Sequence, residues 1–392
     1  MMRYIDDVDL EGKKVLLRTD LNMPIENGEP QETIRFEQYQ KTVQQLSEQG
    51  AKVLIVAHQG RPGRKDFTSL RKHAKILSKH ANTEVELINQ FFTSKVEKKM
   101  ERMKEGDVAL LENVRFLSEE LNNFSPEKHS ESIFVQRVAP NFDLFVNDAF
   151  SAAHRSHASL VGFNQVLEDY AGPLMQREIE NCQRVLEEFE NGILVLGGEK
   201  PVDIISMMEE EIEEADKVLL GGIPGEAALI AQGTKLDKKE EFIENHSIDL
   251  KKEKLQKLLE EYSDKIYVPK DLKTDSGNHK VEDLPSSEMT WDIGDETIEE
   301  YKRVISDAKN VLMKGPMGAF DQGYEKGTKE IVDAIAENKE AFTVLGGGHT
   351  SSLVERFGHS LDDFDHVSIA GGAFVRYMSN QELPAIKALR QE

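Results

Sequence analysis

The chain has 392 residues, with 49 Lys and Arg against 72 Asp and Glu for a formal net charge of −23, and 39% of its residues are hydrophobic. At about 150 residues per domain the length predicts two domains, or three small ones, and this apolar content excludes a disordered polyanion. The acid excess argues against general binding to nucleic acid or to an anionic membrane, whose phosphates it repels, so any site for an anionic ligand must concentrate its few cations locally.

Cys182 is alone, which excludes an intramolecular disulfide and a cysteine-rich metal site and suits a reducing cytosol. Residues 1–10 are charged and lack the apolar core of a signal peptide, and no apolar run approaches the length of a membrane span. The expectation is a soluble, cytoplasmic protein.

Strand-length apolar runs fall at 14–18, 52–58, 84–88, 107–112 and 142–147, and again at 192–198, 217–222, 265–269, 310–314, 341–346 and 366–368. Helical periodicity covers 33–49, closed by Gly50, then 69–79, 173–189, 297–308 and 328–337. Strict alternation of strand and helix implies parallel sheets covered on both faces. The fold class is therefore α/β: two doubly wound, Rossmann-like parallel-sheet domains joined by a helix, at 173–190, and a hinge. The Lys- and Glu-rich stretch 240–257 reads as a solvated helix or excursion.

In open α/β sheets ligands bind beyond the carboxyl ends of the strands. In the first half those ends carry Arg18, Asp20 and Asn22, with Arg35 early in the next helix; His58-Gln59-Gly60-Arg61-Pro62; Glu112-Asn113-Val114-Arg115; and Asn147-Asp148-Ala149-Phe150 followed by His154-Arg155-Ser156-His157. Any one of these arginines could be a surface ion pair. Five of them at one sheet edge, in so acidic a chain, predict an anion site, because the planar guanidinium fork matches carboxylate and phosphate oxygens.

The second half ends its strands in glycine: Gly197-Gly198-Glu199-Lys200, Gly221-Gly222, Gly315-Pro316-Met317-Gly318, Gly346-Gly347-Gly348-His349 and Gly371-Gly372. Glycine lets backbone amides approach phosphate closely, and a following helix turns its positive end to the anion; Thr350 and Ser351 are potential caps. One such turn is weak evidence, but several in one sheet predict a nucleotide phosphate site. No Walker A or GxGxxG pattern is present, which disfavours P-loop ATPases and ordinary dehydrogenases. An anion domain and a nucleotide domain with separate clefts suit phosphoryl transfer with domain closure.

Together the segments resemble phosphoglycerate kinase over nearly the whole chain. The resemblance is carried by Arg18-Thr19-Asp20-Leu21-Asn22-Met23-Pro24 (similar to RxDFNVP), His58-Gln59-Gly60-Arg61-Pro62 (similar to SHLGRP), Leu111-Glu112-Asn113-Val114-Arg115-Phe116, and Asn147–Phe150 through His154–Ser159. Further motifs are Leu196-Gly197-Gly198-Glu199-Lys200, Trp291-Asp292-Ile293-Gly294, Gly315–Phe320 and Gly346-Gly347-Gly348. The resemblance implies reversible phosphoryl transfer between 1,3-bisphosphoglycerate with ADP and 3-phosphoglycerate with ATP, a step of glycolysis, with the nucleotide bound with Mg²⁺. Its other implications are small-molecule partners without nucleic acid or membrane, and a monomer or weak homodimer. Residues 1–170 with 378–392 would form the 3-phosphoglycerate-binding domain, and 171–377 the nucleotide-binding domain.

By matching positions, the glycerate ligand would meet Arg18, Asp20, Leu21, Asn22, Arg35, His58, Gln59, Gly60, Arg61, Arg115 and Arg155. The nucleotide would meet Gly197, Gly198, Lys200, Gly221, Gly222, Lys314, Asp321, Gly346, Gly347, Gly348, His349 and Thr350. Arg35 and Lys200 would be catalytic, and no metal ligand is assigned. The nucleotide half departs from the family pattern: Ile204 stands where a second lysine is common, and His349 where GGGD has its aspartate, a feature similar to the archaeal branch. Lys314 replaces a usual Asn and Asp321 a usual Glu, while 368–374 loses a threonine and a glycine of STGGGAS. Two readings stay open: a divergent active kinase, or a non-catalytic phosphoglycerate-binding homologue with a degraded nucleotide site.

Overall fold

The computed structural model describes residues 2–81, 84–92, 94–188, 192–284, 287–347 and 350–390. The chain divides into two compact units, Met1–Glu180 with Glu382–Glu392, and Asn181–Gln381. Each is built on a six-stranded parallel sheet, so the α/β, doubly wound reading holds.

The first sheet comprises β1 (Lys14–Arg18), β2 (Lys52–Val56), β3 (Glu86–Ile88), β4 (Val108–Leu111), β5 (Leu144–Asn147) and β6 (Glu168–Ala171) in the order β3-β4-β2-β1-β5-β6. Alternate side chains go to opposite faces. Val15, Leu17, Val53 and Ile55 join one core cluster and Leu16, Leu54, Val56 and Phe145 another, so both faces are dry and the strands read as unbroken apolar runs. Burying each such side chain contributes about 1.5–3 kcal/mol. β6 is absent from the sequence expectation because its Glu168-Asp169-Tyr170-Ala171 looks polar; Asp169 is nevertheless buried, accepting from Arg3 at 2.7 Å and from Asn164 at 2.6 Å.

Register positions the site. Arg18 lies opposite Val56 on one side and Asn147 on the other, so the segments that follow β1, β2 and β5 leave from one edge. Helix α1 (Ile34–Glu48) starts at Thr33, whose hydroxyl accepts from the Phe36 N–H at 3.3 Å; α2 (Arg71–His80) follows β2.

The helix predicted to link the domains forms as α3 (Pro173–Glu188). Its first amides, Leu174 and Met175, donate to Asp148 Oδ1 at 2.8 and 2.9 Å, which ties its opening turns to the first unit. The chain therefore divides within this helix, after Glu180, and not at 170 as expected from sequence.

The second sheet runs β9-β8-β7-β13-β14-β15, from β7 (Gly192–Leu196), β8 (Ala215–Leu220), β9 (Ile266–Tyr267), β13 (Asn310–Lys314), β14 (Phe342–Gly346) and β15 (His366–Val367). An antiparallel sheet, unforeseen from sequence, is formed by β10 (Asp271–Thr274), β11 (Asn278–Lys280) and β12 (Thr290–Ile293) in the order β11-β10-β12. Helices α4 (Pro201–Glu211) and α5 (Gly222–Ala231) follow β7 and β8, and α6 (Thr350–Arg356) follows β14. The predicted excursion at 240–257 is two helices, Asp237–Asn245 and Lys252–Glu261.

Helix α7 (Gly372–Met378) packs on α4 within the second unit, so the return to the first unit begins at Glu382 and not at 378. It continues into α8 (Pro384–Arg390), where the Ala385 N–H donates to the Ala153 carbonyl at 3.1 Å. Among the described residues no helix is long and apolar enough to cross a membrane.

Candidate active site

At the carboxyl edge of the first sheet lies a pocket of about 300 Å³ lined by Asn22, His58, Gly60, Arg61, Arg64, Asp66, Arg115 and Arg155. Six of these are residues expected from sequence. Arg64 and Asp66 are additions, which the fold of the loop after Gly60 brings back. Gly60 has φ +65° and packs so closely on the Asp66 backbone that a Cβ would overlap it. The Gln59 side chain donates to the Asp66 carbonyl at 3.3 Å, and Asn22 Oδ1 accepts from the Gly60 N–H at 2.8 Å. Gly60→Ala should therefore push the loop carrying Arg61 and Arg64 off its anchor. The expected result is an affinity for the pocket's anionic ligand lowered by about tenfold or more, the loss of one or two charged hydrogen bonds, with ligand binding to the second unit nearly unchanged in the same calorimetric titration.

Five residues expected at the ligand, Arg18, Asp20, Leu21, Arg35 and Gln59, do not line this pocket, and three of them point into the protein. Arg18 is 1% exposed and spends its guanidinium on Ser159 Oγ at 2.9 Å, on the Thr19 carbonyl and on His58 Nδ1 at 3.0 Å. Leu21, 1% exposed, belongs to the hydrophobic core. Gln59 is fully buried; its Oε1 accepts from the Met23 N–H at 2.9 Å and faces His73 Nε2 at 2.9 Å, while its Nε2 donates to the Met23 carbonyl. Each lies at or just past a strand end in sequence, but its side chain turns inward.

Asp20 sits behind the pocket, 4% exposed, accepting from the Asn22 N–H at 2.9 Å and from the Ser151 hydroxyl. Burial by itself would raise its pKa; His58, Arg35 and these two hydrogen bonds bring it down to about 2. Arg35 stands in the first turn of α1, where a positive charge opposes the helix dipole. Its place there is stabilised by the Asp20 carboxylate, with which it interacts electrostatically.

Burial, followed by repulsion from Arg155 and Arg18, lowers the Arg115 pKa to about 10. Guanidiniums gathered this way repel one another, and an anion among them removes that cost. The pocket is thus built for a compact, multiply charged anion.

The second unit differs from the sequence expectation in one respect that matters. The Gly197 N–H donates to the Lys314 carbonyl (2.8 Å), Gly198 to Pro316 (2.8 Å), Gly221 to Leu196 (2.9 Å) and Gly222 to Met317 (2.7 Å). These amides hold the loops to one another and are not spare phosphate donors. The glycines are required by that interlocking: a Cβ on Gly197 would overlap the Pro316 carbonyl, and one on Gly222 would come within 2.8 Å of the Gly198 nitrogen.

Two cations stand beside these loops. Lys200 is exposed at the start of α4, and Lys314 is buried at the end of β13. The Lys314 pKa is lowered by burial, raised by Asp203 and lowered again by Lys200, so the two ammonium groups sense each other. Ile204 is fully buried on the inner face of α4. Asp321 is exposed in the turn Phe320–Gln322. Gly346 ends β14 against the Phe374 ring, and Gly347 has φ +130°. Gly348 and His349 lie outside the described residues, and Thr350 is described only as the first residue of α6. Among the described residues no three His, Cys, Asp or Glu side chains are grouped so as to hold a metal ion.

Comparison with known proteins agrees with this geometry. The family model described as phosphoglycerate kinase matches residues 5–381. The chain is 41% identical to the phosphoglycerate kinase of Methanopyrus kandleri, over 98% of this chain and 96% of that protein. It is 39% identical to that of Haloarcula marismortui, over 99% of both. The crystal structure of phosphoglycerate kinase from Pyrococcus horikoshii OT3 superposes with a TM-score of 0.92 at 34% identity, covering 99% of this chain and 98% of that one. With a match that runs almost end to end and a strand-edge arginine pocket of the kind its motifs imply, the chain belongs to the phosphoglycerate kinase family.

Proposed function

We propose that the chain catalyses reversible phosphoryl transfer between 1,3-bisphosphoglycerate with ADP and 3-phosphoglycerate with ATP, a glycolytic phosphotransferase reaction. The pocket with four guanidiniums, from Arg61, Arg64, Arg115 and Arg155, carries this reading, since 3-phosphoglycerate is a small anion with a charge at each end. In the direction of ATP use, a carboxylate oxygen of 3-phosphoglycerate attacks the γ-phosphorus. A carboxylate O–P bond forms, the β–γ bridging O–P bond breaks, and its electron pair leaves with ADP. The nucleophile is already ionised at neutral pH, so no general base is called for and the protein's task is positioning and charge stabilisation. Arg61, Arg64, Arg115, Arg155, His58 and Asn22 hold the glycerate ligand, and Arg35 orients the reacting end.

Lys200 and Lys314 bind the nucleotide phosphates, and Asp321 accepts from the ribose hydroxyls. Magnesium enters with the nucleotide as part of that substrate. Lys314 answers the loss of the second lysine: Ile204 belongs to the packed face of α4, while the Lys314 ammonium supplies positive charge within electrostatic reach of Lys200. The cytoplasm is the setting of this reading, supported by the lone and buried Cys182 thiol.

Steady-state turnover of the full chain with MgATP and 3-phosphoglycerate tests it. Turnover in the ordinary enzyme range, about 1–10³ s⁻¹, is expected. Calorimetric binding of 3-phosphoglycerate with no turnover on any nucleotide or divalent metal would instead establish the non-catalytic reading.

A further inference from the structure

Behind the arginine pocket runs a chain of hydrogen bonds that starts at a buried carboxylate and ends on a pocket residue. Glu120 is fully buried. It accepts from the Ser159 hydroxyl at 2.7 Å through Oε1 and from the Ser159 N–H at 2.8 Å through Oε2. With its proton given to Glu120, Ser159 Oγ accepts from Arg18 Nε at 2.9 Å. Arg18 is held flat by its further bond to the Thr19 carbonyl, and its Nη2 lies 3.0 Å from His58 Nδ1.

The direction of that last bond is fixed by chemistry. Guanidinium has donors and no acceptor, so His58 Nδ1 must supply a lone pair. A neutral imidazole with a bare Nδ1 carries its proton on Nε2. A second proton on Nδ1 would set one N–H against another. His58 lines the pocket, and Nε2 is the ring nitrogen that Arg18 does not engage.

We propose that Glu120 and Ser159 are positioning residues which, through Arg18, hold His58 as a neutral imidazole with its proton on Nε2, so that the pocket offers the anion a fixed N–H donor. The role given to that donor rests on reading the pocket as the glycerate site. The groups facing His58 agree with neutrality: burial lowers its pKa well below the usual value, Asp20 opposes this, and Arg18, Arg115 and Arg155 lower it further. His157, 3.7 Å from Glu120 Oε1, is itself brought down to about 3, first by burial and then by Arg115, Arg155 and Arg18. It therefore adds no charge to the chain of bonds near neutral pH. The arrangement lets a histidine serve an anion site without switching charge across the range, about pH 5–8, in which an exposed histidine titrates.

The test is nitrogen-15 NMR of the full chain labelled at histidine, with His58 assigned by its loss in His58→Gln. In the wild type, His58 should show a protonated Nε2 and an unprotonated Nδ1 throughout that range. Ser159→Ala cuts the link between Glu120 and Arg18. It should give His58 mixed tautomers or an ordinary titration, with a KM for 3-phosphoglycerate raised about tenfold and a much smaller change in kcat.

A protonated Nδ1 or an ordinary titration in the wild type overturns the proposal without any variant. Unchanged tautomer, titration and KM in Ser159→Ala also overturn it, leaving Glu120 and Ser159 as packing residues. Calorimetry with 3-phosphoglycerate separates the two layers. Absence of binding by the wild type removes the glycerate reading and with it the donor's role, whereas binding alongside the wrong tautomer removes the inference alone.

Discussion

Arg35→Ala is expected to lower kcat by about 10²- to 10³-fold, the usual cost of deleting a preorganised donor that stabilises developing charge. A smaller change in the KM for 3-phosphoglycerate should accompany it. A cation in the first turn of α1 works against the helix dipole, so its placement is not explained by helix stability. It interacts electrostatically with the carboxylate of Asp20, just past β1, which is buried and held ionised partly by Arg35 itself. Attraction to this buried carboxylate offsets the repulsion of the helix dipole and favours one placement of the guanidinium before substrate arrives. Arg35→Lys should recover only part of the rate, because an ammonium cannot reproduce the planar fork. A kcat within threefold of wild type in Arg35→Ala would remove Arg35 from the reaction.

Asp148→Ala is expected to destabilise the first unit by about 3–5 kcal/mol in urea unfolding, the cost of breaking a buried polar network. Asp148 is fully buried and accepts from the Thr42 hydroxyl at 2.6 Å as well as from the Leu174 and Met175 amides that open α3. Truncation would strand all of these donors away from water. Burial outweighs the Thr42, Met175 and Leu174 hydrogen bonds and pushes its pKa up to about 7. In unfolded chain the same carboxyl titrates near 3.9. Between these values the folded protein binds more protons than the unfolded one, so stability falls as pH rises. The contribution is complete below the unfolded pKa and lost as pH passes the folded one, on the order of 4 kcal/mol across the window. Asp148→Asn keeps an acceptor for the two amides and a donor for Thr42 while removing the titration. The share of the pH slope that Asp148 supplies should be missing from the variant over that range, and a slope equal to wild type would contradict the assignment.

Asp148 also shows where sequence reasoning reaches its limit. The parallel strands and the edge at which function collects were legible, because parallel strands buried on both faces read as apolar runs and ligands gather at their carboxyl ends. The arginines at 61, 115 and 155 could be read from that rule and from their motifs. Which strand-end residues face the ligand could not, since one step along the chain turns a side chain from pocket to core: Arg18, Gln59 and Asp148 face inward, Asn22 and Arg61 line the cleft or its rim. Arg64 and Asp66 were hidden because they reach the pocket only through the tight contact of Gly60 with the Asp66 backbone. The glycine clusters signalled close approach correctly but not its object, which is the neighbouring loop. The antiparallel sheet escaped notice because strands such as Asn278–Lys280, which pairs with the nearby 271–273, are short and polar, with no apolar alternation to mark them. Glu120 gave no signal of its own; it became visible once its burial and its two bonds from Ser159 were known.

With the glycerate anion proposed to bind the first unit and the nucleotide phosphates the second, a crossed measurement tests that division most directly. KM for 3-phosphoglycerate and KM for MgATP are determined in Arg61→Ala and in Lys200→Ala. Arg61→Ala should raise the first constant by about tenfold or more, as expected for losing a charged hydrogen bond, and leave the second nearly unchanged. Lys200→Ala should raise the second constant, lower kcat, and spare the first. Equal shifts of both constants in both variants, or no shift in either, would contradict it.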